Sequence, residues 1–124
     1  MAKRINSRTK GKRGELELAK VLQGLFGVAM RRGQQHSGLE GQDVVGLDGI
    51  HIECKRVENL QLYTAVAQSV ADAATGDGGV PAVFHRRNGT PWLVTIRLED
   101  IKLMAKAVTA IIANPERLCD DDKG

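Results

Sequence analysis

Two short β-rich runs flanking Asp48-Gly49 constrain this chain more than any other feature. Residues 43–47 and 50–57 read as paired strands, because Asp-Gly between two such runs is a strong signal for a tight β-hairpin. Strand side chains alternate between faces, so Glu53 and Lys55 share one face while Ile52 and Cys54 point into a core. The hairpin brings Asp43 on one strand against Glu53 on the next. Two carboxylates that meet across a hairpin make a site for a hard divalent cation such as Mg²⁺, which prefers oxygen ligands. Lys55 beside them adds positive charge and a proton-transfer group, and the three together point to metal-assisted cleavage of a phosphodiester.

At 124 residues the chain is expected to form one domain with its own core. Its longest apolar run, residues 107–113 with Thr109 inside, falls far short of the roughly 20 residues a membrane span needs. The basic N-terminus is followed by no apolar signal core, so neither a membrane protein nor a secreted one is expected. Cys54 and Cys119 give no disulfide framework and no zinc-ligand spacing. Cys54 reads as a small core residue, and a reducing cytoplasm is the expected compartment.

Charge is unevenly placed. Residues 1–14 carry Lys3, Arg4, Arg8, Lys10, Lys12 and Arg13 with no acid, whereas Asp120, Asp121 and Asp122 stand together near the C-terminus. A basic arm over residues 1–13 reads as a contact for a phosphate backbone. A solvated tail that aids only solubility is the alternative. Aromatic residues make up just 3% of the chain, which argues against single-strand binding by stacked bases.

Between the arm and an acidic tail over residues 115–124, residues 14–114 form the expected domain. Residues 15–26 read as an amphipathic helix with Leu18, Ala19, Val21, Leu22, Leu25 and Phe26 on its apolar face. Residues 28–32 make a plausible strand, followed by a glycine-rich polar loop and then the hairpin. Asn59 suits the cap of a second helix over residues 61–74. Residues 80–85 and 91–96 read as strands joined through Asn88-Gly89, and residues 98–113 as a third helix. The order α-β-β-β-α-β-β-α predicts an α/β fold with a central mixed five-stranded sheet flanked by helices. The second helix allows a parallel crossover between the third and fourth strands.

Glu15 is a third acid to explain. On a helical wheel it falls within the apolar arc, and an inward carboxylate is costly unless paired, hydrogen-bonded or near a metal. Two readings stand: a first-turn Glu favoured by the helix dipole, or an acid that approaches the metal from the helix side. Asp43, Glu53 and Lys55 could each be ordinary surface charges taken singly. Their spacing across a hairpin, between two helices, favours a site. His36, His51 and His85 form no metal-ligand spacing among themselves, although His51 shares a face with Glu53 and Lys55.

Gly14-Glu15 opening the first helix, Asp43, and Glu53-Cys54-Lys55 together resemble the PD-(D/E)XK nuclease superfamily, and within it the archaeal-type Holliday-junction resolvases and their phage-encoded relatives. The chain departs from the pattern at Gln42, where the family name has Pro. Pro81 to Asn88 and Pro91 to Val94 also resemble phage-type members. The resemblance implies a restriction-endonuclease-like core. It further implies that Asp43 and Glu53 bind Mg²⁺ or Mn²⁺ with the Cys54 backbone carbonyl, and that Glu15 completes the metal shell directly or through water. Lys55 would orient or deprotonate the attacking water, and Gln68 on the second helix could reach the site.

DNA would be held by charge and shape. Arg31 and Arg32, Arg56, and Arg86 and Arg87 join the basic arm as candidate phosphate contacts, with Ser37 in the loop before Asp43. No base-reading motif is present, so recognition by shape is expected, with a four-way junction or other branched duplex as substrate. Symmetric cutting of a junction calls for two sites related by a two-fold axis, which a C2 homodimer supplies. Leu103, Ala107 and Ile111 offer one surface for it, although the same spacing serves core packing. Other readings are a nicking or repair endonuclease and, in a different class, a non-catalytic nucleic-acid-binding protein. The protein would act in the cytoplasm, that of a bacterial host if phage-encoded.

Overall fold

The computed structural model describes residues 7–33, 42–76 and 78–114. Lys3, Arg4, Ser37, His36, Cys119 and the acidic tail lie outside the described residues. The elements run α1 (Ser7–Phe26), β1 (Arg31–Arg32), β2 (Val44–Val45), β3 (Ile50–Arg56), α2 (Leu62–Thr75), β4 (Val80–Arg86), β5 (Leu93–Thr95) and, after a short 3-10 turn at Leu98–Asp100, α3 (Ile101–Ala113). This is the expected order. The sheet is mixed, in the order β1-β2-β3-β4-β5, antiparallel throughout except between β3 and β4. The parallel pair follows from α2, which carries the chain back across the sheet between them.

Alternation along β3 sorts the layers. Ile50 and Ile52 join Leu18, Leu22, Val44, Ala82, Phe84 and Ile111 in the main core, between the sheet and the helices α1 and α3. His51, Glu53 and Lys55 face the other way, toward α2, where Ala65, Ser69 and Ala73 are buried. Both turn signals hold. Gly49 and Gly89 take φ of 84° and 77°, a left-handed conformation that suits glycine, and the Ile50 and Thr90 amides close turns onto the Leu47 and Arg87 carbonyls.

Several boundaries differ from the sequence reading: β5 is shorter than residues 91–96, and α3 begins at Ile101 because residues 98–100 form the 3-10 turn. Helix α1 begins at Ser7 and not at Glu15, so Arg8, Lys10, Lys12 and Arg13 stand on a helix. Lys and Arg are good helix formers, and Gly14 is tolerated because the helix crosses β3 there. A Cβ at Gly14 would lie 2.7 Å from the Arg56 Cβ. The first strand shrinks to Arg31–Arg32, and Asp43 lies just before β2 and not within it. Asn59 does not cap α2: Gln61 takes that position, with no side-chain cap bond.

Two packing expectations change as well. Val21 and Leu25 are exposed on the flank of α1, while Glu15 falls nearer the buried arc of Leu18, Ala19 and Leu22. In α3, Ile111 is buried in the core and Ala107 packs against it, so the Leu103–Ala107–Ile111 spacing is mainly a core pattern. The large exposed apolar residues of this region are Leu98, Ile101, Leu103 and Ile112.

Candidate active site

The site is built around the middle of β3. Val44 pairs with Ile52, and extending that antiparallel register by one residue sets Asp43 opposite Glu53 on the same face. Three bonds fix Asp43: its amide donates to the Ile52 carbonyl at 2.9 Å, its carbonyl accepts from the Gly33 amide at 2.8 Å, and its Oδ2 accepts from the Cys54 amide at 2.8 Å. Gly33 is required by the close approach, since a Cβ there would lie 2.0 Å from the Gln42 carbonyl oxygen. Gln42 is buried, and its Oε1 accepts from the Ile52 amide at 3.1 Å. The side chain at the position of the family's Pro therefore satisfies a strand amide.

Glu53 is 4% exposed, and its Oε1 is buried with no hydrogen-bond partner. Burial first, then the Asp43 charge, push its carboxyl from the ordinary 4.5 up to about 8, against the opposing pull of Lys55; Asp72 and Glu15 add to the rise. A carboxylate this poorly solvated, beside a second acid, fits the donor set of a divalent cation, because a cation supplies the missing counter-charge. Asp43 and Glu53 are the acids whose placement suits such a cation.

Lys55 leaves the same face, and its Nζ donates to Gln68 Oε1 on α2 at 3.4 Å. The structure thus brings Asp43, Glu53, Lys55 and Gln68 together. Glu15 approaches from the α1 side and accepts from Arg32 Nε at 2.7 Å. Cys54 points back toward α1, as expected, and burial pushes its thiol pKa up.

The arginines divide into two groups. Arg32 pairs with Glu15, while Arg56 and Arg86 both donate to Glu17, and Arg56 also reaches Asn88 at 3.2 Å. Arg13, Arg31 and Arg87 are exposed, as is Lys12. The Glu17 pairing was missed because it joins residues far apart in sequence. His51 shares the face of Glu53 as the alternation predicts, whereas Asp72 has no part in the sequence reading. His51 is fully buried with Nε2 3.9 Å from Glu53 Oε1, and Asp72 comes from α2, one turn beyond Gln68. The spacing of Gln68 and Asp72 was the available signal, since residues four apart share a helix face.

A family model described as "Phage putative PDDEXK endonuclease" matches residues 6–118. The chain belongs to this family. Membership in the phage PD-(D/E)XK endonuclease family makes it a metal-dependent nuclease. The solved structure of Hjc from Archaeoglobus fulgidus, a Holliday junction resolvase from an archaeal hyperthermophile, is similar, with 27% sequence identity and a TM-score of 0.51. The likeness covers 70% of this chain and 72% of Hjc, and it makes the core restriction-endonuclease-like. No curated protein sequence matches the chain. No helix among the described residues is long and apolar enough to cross a membrane.

Proposed function

We propose that this family member is a Mg²⁺-dependent, structure-selective DNA endonuclease, and within that class a Holliday-junction resolvase working as a C2 homodimer in the cytoplasm of a bacterial host. One observation carries the reading. Asp43, anchored on the Cys54 amide, faces Glu53, whose buried carboxylate oxygen has no protein partner, with Lys55 on the same face. The likeness to a resolvase supports the choice of substrate.

The roles follow from position. Asp43, Glu53 and the Cys54 carbonyl hold the metal, and Glu15, oriented by Arg32, is the outer acid of the set. When bound, Mg²⁺ polarises the scissile phosphate and makes a coordinated water more acidic. Lys55, steadied by Gln68, orients the attacking water and offsets charge developing on the phosphate. The exposed Lys12, Arg13, Arg31 and Arg87 contact the backbone of the duplex arms, along with the basic residues from Lys3 to Lys10. Mn²⁺ is expected to substitute for Mg²⁺, since both accept carboxylate and carbonyl ligands.

The deciding assay incubates labelled four-way junction, linear duplex and single strand with Mg²⁺, Mn²⁺, Ca²⁺ or EDTA. Symmetric cleavage of the junction well ahead of linear duplex, with Mg²⁺ or Mn²⁺ only, is the expected result. Equal cleavage of linear duplex sinks the resolvase assignment and leaves a more general endonuclease. Binding without cleavage under every metal sinks the nuclease reading itself.

A further inference from the structure

His51 and Glu53 lie two residues apart on one face of β3, and α2 crosses that face with Asp72. One ligand atom from each of the three lies within 4.8 Å of the other two. His51 is 0% exposed and Glu53 4%, whereas Asp72 is half-buried and opens the cluster toward solvent. The His51 Nε2 to Glu53 Oε1 distance of 3.9 Å is too long for a hydrogen bond. It is close to the separation of two ligands on one cation: donors about 2.1 Å from a metal and about 90–120° apart stand roughly 3.0–3.6 Å from each other. Glu53 Oε1, the oxygen nearest that imidazole nitrogen, is buried with no hydrogen-bond partner.

From this we infer that His51, Glu53 and Asp72 form a second cation site, built for a divalent transition-metal ion such as Mn²⁺, with Glu53 shared between it and the Asp43 set. The inference rests on the nuclease reading only in taking Glu53 as common to both sites; the second donor set is read from the cluster itself. Ligand chemistry separates the two sites. Asp43, Glu53 and a backbone carbonyl offer oxygen alone, which suits Mg²⁺, whereas an imidazole nitrogen favours first-row transition ions. A carboxylate shared by two cations is the arrangement in which both the attacking and the leaving oxygen of a displacement can be stabilised. Mn²⁺ therefore engages a nitrogen ligand that Mg²⁺ leaves aside.

The test uses the full chain without DNA, with Mn²⁺ as probe. Pulsed electron paramagnetic resonance of the Mn²⁺-loaded protein should show coupling to a directly bound ¹⁴N. That coupling should persist in Asp43→Asn, which alters only the first set, and disappear in His51→Gln. Because His51 is buried and its replacement can disturb folding, Asp72→Asn gives an independent measure on a half-buried helix residue. It should weaken Mn²⁺ binding by calorimetry at least tenfold while circular dichroism stays unchanged. Absence of nitrogen coupling with Mn²⁺ bound, or unchanged Mn²⁺ affinity in Asp72→Asn, overturns the site. Junction cleavage on the same samples reports the nuclease reading separately: nitrogen coupling without cleavage supports the site while that reading fails.

Discussion

The Cys54 amide donates to Asp43 Oδ2 at 2.8 Å, so the first acid of the site is tied to the strand that carries the second. Asp43 thus has a structural role as well as a chemical one, and two substitutions separate them. Asp43→Asn keeps an oxygen acceptor for the Cys54 amide, so it should fold with near wild-type stability yet lose cleavage. Asp43→Ala leaves that amide without its acceptor and should also cost about 1–2 kcal/mol. Urea unfolding and junction cleavage on both variants check this. Junction binding should stay within a few-fold in each, because affinity rests on the basic residues.

Glu53 gives the metal-free protein a distinctive pH dependence. Its carboxyl titrates near 8 when folded and near 4.5 when unfolded, so between these values the folded state holds a proton that the unfolded state has lost. Its contribution to stability is full below the unfolded value and is lost as pH rises toward 8, with a slope approaching about 1.4 kcal/mol per pH unit. Glu53→Gln cannot titrate. Unfolding in EDTA from pH 5 to 8 should therefore show wild type losing stability relative to the variant as pH rises. Parallel curves would mean that Glu53 is not held in a poorly solvated pocket. Saturating Mn²⁺ should flatten the wild-type slope, because a cation binds the ionised form.

The carboxylates were legible because their signals are local. Alternation along β3 and the Asp48-Gly49 turn suffice to place Asp43, Glu53 and Lys55 on one face, whatever the rest of the chain does. The spacing puts Asp72 on the helix face of Gln68, but its place beside Glu53 depends on how α2 crosses the sheet. The first two turns of α1 are hidden in the sequence for a different reason. Residues 7–13 carry no apolar periodicity, and the surface on which Gly14 packs is supplied only by β3.

Ion pairing sorts the arginines by their expected share in DNA binding. Arg87 is exposed, whereas the charge of Arg86 is already offset by Glu17. Arg87→Ala should lower the log–log salt slope of junction binding by about 0.9, the value for one neutralised phosphate on duplex DNA. Arg86→Ala should lower it by clearly less, and Glu17→Ala should steepen it by freeing Arg86, while Arg56 keeps Glu58 at 3.9 Å. Fluorescence anisotropy across a salt series measures all three. Equal effects of Arg86→Ala and Arg87→Ala would show that Glu17 releases its partners when DNA binds.

Gln42 stands at the position where the sequence leaves the family pattern. Its side-chain oxygen accepts from the Ile52 amide, deep in the sheet, one residue before Glu53. Gln42→Ala removes the acceptor without adding bulk, which strands a buried amide and should cost about 1–3 kcal/mol. Gln42→Pro restores the family's residue yet removes the same acceptor, so it should be no more stable than Gln42→Ala. Hydrogen exchange distinguishes local from global effects: the Ile52 amide should lose protection in both variants, while the β4 amides paired with β3 keep theirs at matched stability. Wild-type protection of Ile52 in Gln42→Pro would mean that another group takes over the bond, and that the departure from the pattern costs the site nothing.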